Sequence, residues 1–194
     1  EHFQVKLGAL GDYILTGDGN DQVSGNDGND HLSTGKGTDI VDGGAGTADR
    51  GEADKSFASA GQDIDIDLTA VQQSLHLGTG SVTGIEALTL STGAGNDDIV
   101  TLSSFLSDVI RTGEGTDFAK VAGGKDNVDL GAGTDRLVVD WSWVRDYGIE
   151  FSSLNGTLAD GYSGVLMNWY DYSDRNRVDF AGVESFEVRL GSGL

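Results

Sequence analysis

TGDGNDQVSGNDGNDHLSTGKGTDIVD, residues 16–42, is one nine-residue phrase written three times: TGDGNDQVS (16–24), GNDGNDHLS (25–33) and TGKGTDIVD (34–42). It returns as TGAGNDDIV (92–100), TGEGTDFAK (112–120) and LGAGTDRLV (130–138). The shared pattern is Gly-Gly-x-Gly-x-Asp-x-U-x, with U a large apolar residue, and each position has a physical task. Glycine at the second and fourth positions lets the backbone turn tightly with its carbonyls facing inward, which a Cβ would hinder. The sixth-position aspartate offers the hard anionic oxygen that Ca²⁺ prefers. The apolar residue then opens a short strand and points into a core shared with the turns on either side. Such a sequence specifies a metal-binding solenoid.

In register, the sixth position holds Asp12, Asp21, Asp30 and Asp39 in one run and Asp97, Asp108, Asp117, Asp126 and Asp135 in another. A lone GxGxD would carry little weight, whereas a frame repeated this often specifies an architecture. The nonapeptide resembles the RTX, or haemolysin-type calcium-binding, repeats of proteins exported by Gram-negative type I secretion systems. The resemblance covers residues 7–47 and 92–138. It implies an all-β fold, a right-handed parallel β-roll or β-helix solenoid with strand-rich inserts, in which two nonapeptides make one turn. It also implies several Ca²⁺ ions, each between a loop and the loop two units later, held by sixth-position carboxylates and second- and fourth-position carbonyls.

Carried over residue by residue, the resemblance pairs Asp12 with Asp30 on one edge and Asp21 with Asp39 on the other, and lines Asp97, Asp117 and Asp135 along one edge of the second run. The carbonyl ligands would be Gly17, Gly19, Asn26, Gly28, Gly35, Gly37, Gly93, Gly95, Gly113, Gly115, Gly131 and Gly133. On the opposite edge of the second run, SSFLSD (103–108) and VAGGKD (121–126) lack the expected glycines and bring Lys125 beside the site, so weak or no binding is expected there. Leu10 stands where the first turn needs its second glycine, which weakens Asp12 as a ligand. The U positions expected to fill the roll are Ile14, Val23, Leu32, Val41, Ile99, Ile110, Ala119, Val128 and Leu137.

The composition agrees with a cation-dependent fold. The 194 residues include 31 Gly, no Pro and no Cys, with 32 acidic against 12 basic residues and a net charge of −20. That charge argues against nucleic acid or anionic membrane as partners and favours cations. With 37% hydrophobic residues the apolar gain is modest and the carboxylates repel one another, so a metal-free chain is expected to be largely disordered. Absent cysteine excludes disulfides and thiolate metal sites. No apolar run reaches membrane-spanning length, so no membrane insertion is expected, and no signal peptide opens the sequence.

A longer repeat overlies the short one. EHFQVKLGALGD, EALTLSTGAGND and ESFEVRLGSGL begin at Glu1, Glu86 and Glu184, each a glutamate, an alternating strand and a glycine turn; Gly84-Ile85 and Gly182-Val183 precede two of them. The expected organisation is a first long repeat (1–85: nonapeptides 7–47, insert 48–85), a second (86–183: nonapeptides 92–138, insert 139–183) and the start of a third (184–194). Neighbouring repeats are thus expected as partners, and the chain is expected to be an excerpt of a longer protein. The first run breaks at Ala48, where the aspartate should stand, and the second slips at Thr101-Leu102. DIDIDL (63–68), GIEALTL (84–90), LVVDWSWV (137–144) and VLMNWYDYS (165–173) read as strands. Residues 68–75 and 103–108 could each hold a helical turn.

Other features receive plainer readings. Asp63, Asp65 and Asp67 could form a metal ladder or a catalytic pair, but Ile64, Ile66 and Leu68 form the buried alternate and leave the acids on a solvated face. Trp141 and Trp143 share a face with Val139 and are read as core, while Trp169, Tyr170 and Tyr172 cluster later; strand aromatics can also stack on sugars. His2, His31 and His76 assemble no catalytic or metal arrangement, and no nucleophile motif or phosphate loop is present. The expected function is a non-catalytic, calcium-folded spacer in a secreted or cell-surface protein of a Gram-negative bacterium, of adhesin or surface-layer type. The alternative is a carbohydrate- or surface-binding accessory module, with polysaccharide or a cell surface as partner, of a secreted enzyme such as an alginate-modifying enzyme, protease or lipase.

Overall fold

The computed structural model describes residues 1–69, 80–102, 104–144, 148–168 and 176–191. Between the glycine turns there is room for only about three extended residues, and the apolar U residue sits in the middle of each such strand. Two sides result. On one side lie β2 (Tyr13–Leu15), β4 (His31–Gly35), β6 (Arg50–Asp54), β9 (Ala87–Ser91), β11 (Val109–Arg111), β14 (Lys125–Asp129) and β19 (Asn176–Val183). They pair in parallel in that order, and β18 (Gly161–Asn168) and β17 (Ile149–Thr157) complete a nine-stranded sheet as an antiparallel extension.

The strands between them in sequence form two smaller parallel sheets on the other side. The first is β1 (Gln4–Lys6), β3 (Gln22–Ser24), β5 (Ile40–Asp42) and β8 (Ser81–Thr83). The second is β7 (Asp65–Asp67), β10 (Asp98–Val100), β13 (Phe118–Val121), β16 (Arg136–Trp141) and β20 (Ser185–Leu190). The first insert explains the split: it contributes both β7, beside β10, and β8, beside β5, where the long sheet has only β9 between β6 and β11. Two short pieces, β12 (Glu114–Gly115) and β15 (Ala132–Gly133), pair across adjacent turns. No helix occurs among the described residues. The chain is a parallel β-roll.

Parallel register stacks like on like. Ile66, Ile99, Ala119, Leu137 and Phe186 form one column, and Leu90, Ile110, Val128 and Phe180 form another. The expected U residues are buried in one core, except that Ile14, in the first turn, is only partly covered. Asp65 and Asp67 point away from buried Ile64, Ile66 and Leu68, as the alternation requires. Trp141 is fully buried, but β16 ends there and Trp143 lies in the following turn, 42% exposed and edge-on to Phe105. Phe105 and Leu106 form a bend, and no helical turn occurs over the described residues 104–108. The other expected helical turn lies largely outside the described residues, as do His76, Trp169, Tyr170, Tyr172 and the last residues of the 184–194 segment.

Candidate metal centre

Each turn aims main-chain oxygens at the next turn on its edge. Gly37 has φ of +140°, and a Cβ there would lie 1.6 Å from the Gly19 carbonyl oxygen, so only glycine permits the approach. The same stacking puts the Gly17 carbonyl under Gly35, Asn26 under Gly44, Gly28 under Gly46, Gly93 under Gly113, Gly95 under Gly115, Gly113 under Gly131 and Gly115 under Gly133. Asn26, where the pattern calls for glycine, adopts a left-handed φ of +68°. Several of these oxygens also accept a main-chain hydrogen bond from the next loop, as Gly93 does from Glu114 and Gly113 from Ala132. A carbonyl has a second lone pair for another partner.

The carboxylates stack in step. The Asp12 amide donates to Asp30 Oδ1 (2.8 Å), Asp30 to Asp49 (2.7 Å) and Asp49 to Glu86 Oε2 (2.9 Å). On the other edge Asp21 donates to Asp39 Oδ1 (3.0 Å). In the second run the amides of Asp97, Asp117 and Asp135 donate to Asp117 Oδ1, Asp135 Oδ1 and Glu184 Oε2. Asp12 thus stacks on Asp30, Asp21 on Asp39, and Asp97, Asp117 and Asp135 on one another. Asp12 differs: its Oδ2 accepts from its own loop at Gly8.

Three ladder members escape the nonapeptide reading. Asp49 completes the turn expected to fail at Ala48; one extra residue delays the acid by one position, and the ladder accommodates it, leaving Asp49 fully buried. Glu86 and Glu184, visible in sequence only as the heads of long repeats, close the two ladders with their side chains. Each also donates main-chain amides to the preceding aspartate: Glu86 and Ala87 to the Asp49 carbonyl, Glu184 and Ser185 to that of Asp135. Gly84 and Gly182, both left-handed, turn the chain into those positions.

Asp108 and Asp126, on the edge expected to be weak, stack in the same manner. Leu88 donates to Asp108 Oδ1 and Asp108 to Asp126 Oδ1 (3.0 Å), and Gly124 packs over the Leu106 carbonyl as glycine does elsewhere.

In most of these stacks one carboxylate oxygen takes a main-chain amide and the other is left bare; Asp12, Asp39 and Asp97 are the exceptions, their Oδ2 atoms accepting from Gly8, Lys55 and Thr92. The Oδ2 atoms of Asp21, Asp30, Asp49, Asp108, Asp117, Asp126 and Asp135 are buried without a hydrogen-bond partner. A buried charged oxygen in that state is costly unless a cation meets it. Burial accordingly pushes the carboxyls of Asp97, Asp108 and Asp135 up to about 6 and that of Asp126 up to about 8. Asp117 and Asp49 are raised for the same reason. Among the described residues no three His, Cys, Asp or Glu side chains converge on one point. The stacked carboxylates and the main-chain carbonyls beside them make an all-oxygen set, which fits a hard divalent cation with many ligands.

Residues 15–47 and 105–137 match the family described as RTX calcium-binding nonapeptide repeat (4 copies). No curated protein matches the chain.

Proposed function

We propose that this chain, whose RTX nonapeptides bind several Ca²⁺ ions and make it a calcium-binding repeat module, folds on Ca²⁺ after secretion and serves as a stiff, non-catalytic spacer in a larger extracellular or cell-surface protein. The observation that supports it is the row of buried, partnerless Oδ2 atoms. A bound divalent cation would supply the positive charge that these oxygens lack. Asp21 and Asp39 with Gly17 and Gly19 would hold one such ion. Asp12 and Asp30 on the other edge, then Asp97, Asp117 and Asp135 with Gly93, Gly95, Gly113 and Gly115, would hold others. Asn26, Gly28, Gly131 and Gly133 complete the carbonyl set, while the Gly37 carbonyl already accepts from Lys55. Sites of the extracellular class bind in the 10⁻⁴–10⁻³ M range, about the level outside cells and far above that inside. The chain would then cross its export channel unfolded and stiffen on arrival.

A second reading has one observation behind it. A cavity of about 290 Å³ at the C-terminal end is lined by Phe151, Leu154, Tyr162, Glu184 and Phe186. An open aromatic wall with one acid suits a sugar ring, which would make the second insert a carbohydrate-binding surface.

Small-angle scattering on chains carrying two and four tandem copies decides between spacer and globule. With Ca²⁺ the maximum dimension should grow in proportion to copy number. A compact particle at four copies, or turnover of a polysaccharide or peptide by this chain alone, would contradict the spacer reading.

A further inference from the structure

One aspartate in the stacks has its outer oxygen met by a cation of the protein's own. Lys55 Nζ lies 2.6 Å from Asp39 Oδ2 and 2.6 Å from the Gly37 carbonyl oxygen. Lysine is almost never fully buried unless paired, and Lys55 is 1% exposed. Its two oxygen partners are a fourth-position carbonyl and a sixth-position carboxylate. One turn earlier, the same pair of atoms is the Gly19 carbonyl, which faces Gly37, and Asp21 Oδ2, which has no partner. The ammonium thus stands, one turn on, where the pattern presents its metal-binding oxygens.

The second half of the chain supplies an internal comparison. The pairing β3–β5–β8 is matched by β11–β14–β19, and β4–β6–β9 by β13–β16–β20. Under that correspondence Asp21 matches Asp108 and Asp39 matches Asp126. No lysine reaches Asp126, whose Oδ2 is partnerless. Among the described residues only the first insert does this: after β6 it has no glycine turn to continue the edge and delivers Lys55 instead.

We propose that the Lys55 ammonium is the resident cation of the position following the Asp21–Asp39 stack, so that this position takes no calcium and the first run is closed on that edge without metal. The inference rests on the calcium reading of the other positions. It also gives the insert a role: it ends a metal ladder with a covalently tethered charge that ties the end of β6 to the turn before β5.

Two measurements on the full chain test it. The first is acetylation of amines in the calcium-saturated wild type, mapped by peptide mass spectrometry. Lys55 should stay unmodified while Lys36, whose side chain is 49% exposed, reacts. Reaction of Lys55 at the pace of Lys36 would mean that calcium displaces the ammonium and would overturn the proposal. The second is calcium stoichiometry by titration calorimetry for the wild type and Lys55→Glu. The variant places a carboxylate beside Asp39 and the Gly37 carbonyl, and it should bind one Ca²⁺ more than the wild type. An equal number in a folded variant would overturn the proposal; if the variant does not fold, the labelling result decides. A wild type that binds no calcium would overturn the calcium reading itself and this inference with it.

Discussion

At the scale of single residues, the two oxygens of most ladder aspartates differ. In Asp21, Asp30, Asp49, Asp108, Asp117, Asp126 and Asp135, Oδ1 locks the loop before it by accepting a main-chain amide and Oδ2 is buried with no hydrogen-bond partner. Asp117 sits mid-ladder, accepting from Asp97 and donating to Asp135, and is 2% exposed. Asp117→Asn keeps the hydrogen bonds and removes the charge, and it should lower the bound calcium by at least one ion and stability in Ca²⁺ by about 3–5 kcal/mol, the usual cost of breaking a buried ionic partnership. Asp126, pushed up to about 8 by burial, is largely protonated at neutral pH without metal. Its edge lacks most of the expected turn glycines and carries Lys125 beside the carboxylates, so Asp126→Asn should leave calcium stoichiometry nearly unchanged; calorimetric titration of both variants checks the contrast. Gly37→Ala would force a Cβ against the Gly19 carbonyl at a left-handed φ, and should cost at least the ~1–3 kcal/mol of such backbone strain, read as a lower melting temperature in Ca²⁺. The aspartates and turn glycines could be read from sequence because each position of the nonapeptide admits one kind of residue. Asp49 and Lys55 could not: the first lies one residue out of frame, and the second comes from an insert with no period to mark it.

At the scale of elements, the nonapeptide strands were legible because a single buried residue between two glycine turns leaves little freedom. The inserts were legible only as strands. Their partners depend on which sheet edge is open, so nothing in DIDIDL announces that β7 lies beside β10 while β8 lies beside β5. The stacked edges also set a pH dependence for the metal-free chain. Asp97, Asp108 and Asp135 titrate at about 6 and Asp126 at about 8 in the folded state because burial disfavours their charged forms. In the unfolded chain they would titrate near 3.9. The folded state then binds more protons, so their contribution to stability is fully present below about pH 4 and is lost as pH rises through about 6 and then 8. Metal-stripped protein should show more β signal by circular dichroism at pH 5 than at pH 8. With calcium bound the trend should reverse, since protons and metal compete for the same oxygens.

At the scale of the whole molecule, the three segments headed by Glu1, Glu86 and Glu184 do not fall on one side. β1 and β20 belong to the smaller sheets and β9 to the long one. Successive glutamate-headed strands are thus handed to opposite sides of the roll. That handover explains why the two closing glutamates stand on opposite edges: Glu86 ends the edge leading into the long sheet, Glu184 the edge leading out of it. The three glutamate-headed segments are legible in the sequence; the side each takes is not, because it depends on which sheet edge each strand joins. One core runs through the stack, yet its apolar share is modest against a net charge of −20, and the roll should not outlast its cations. The most direct test is thermal unfolding of the chain followed by circular dichroism at pH 7.5, in millimolar Ca²⁺, in excess chelator, and in chelator with millimolar Mg²⁺. The β signature and a cooperative transition should be present with Ca²⁺, collapse in chelator, return when Ca²⁺ is restored, and not return with Mg²⁺, which demands a tighter octahedron. A cooperative transition that survives in excess chelator would contradict the claim that calcium holds this fold together.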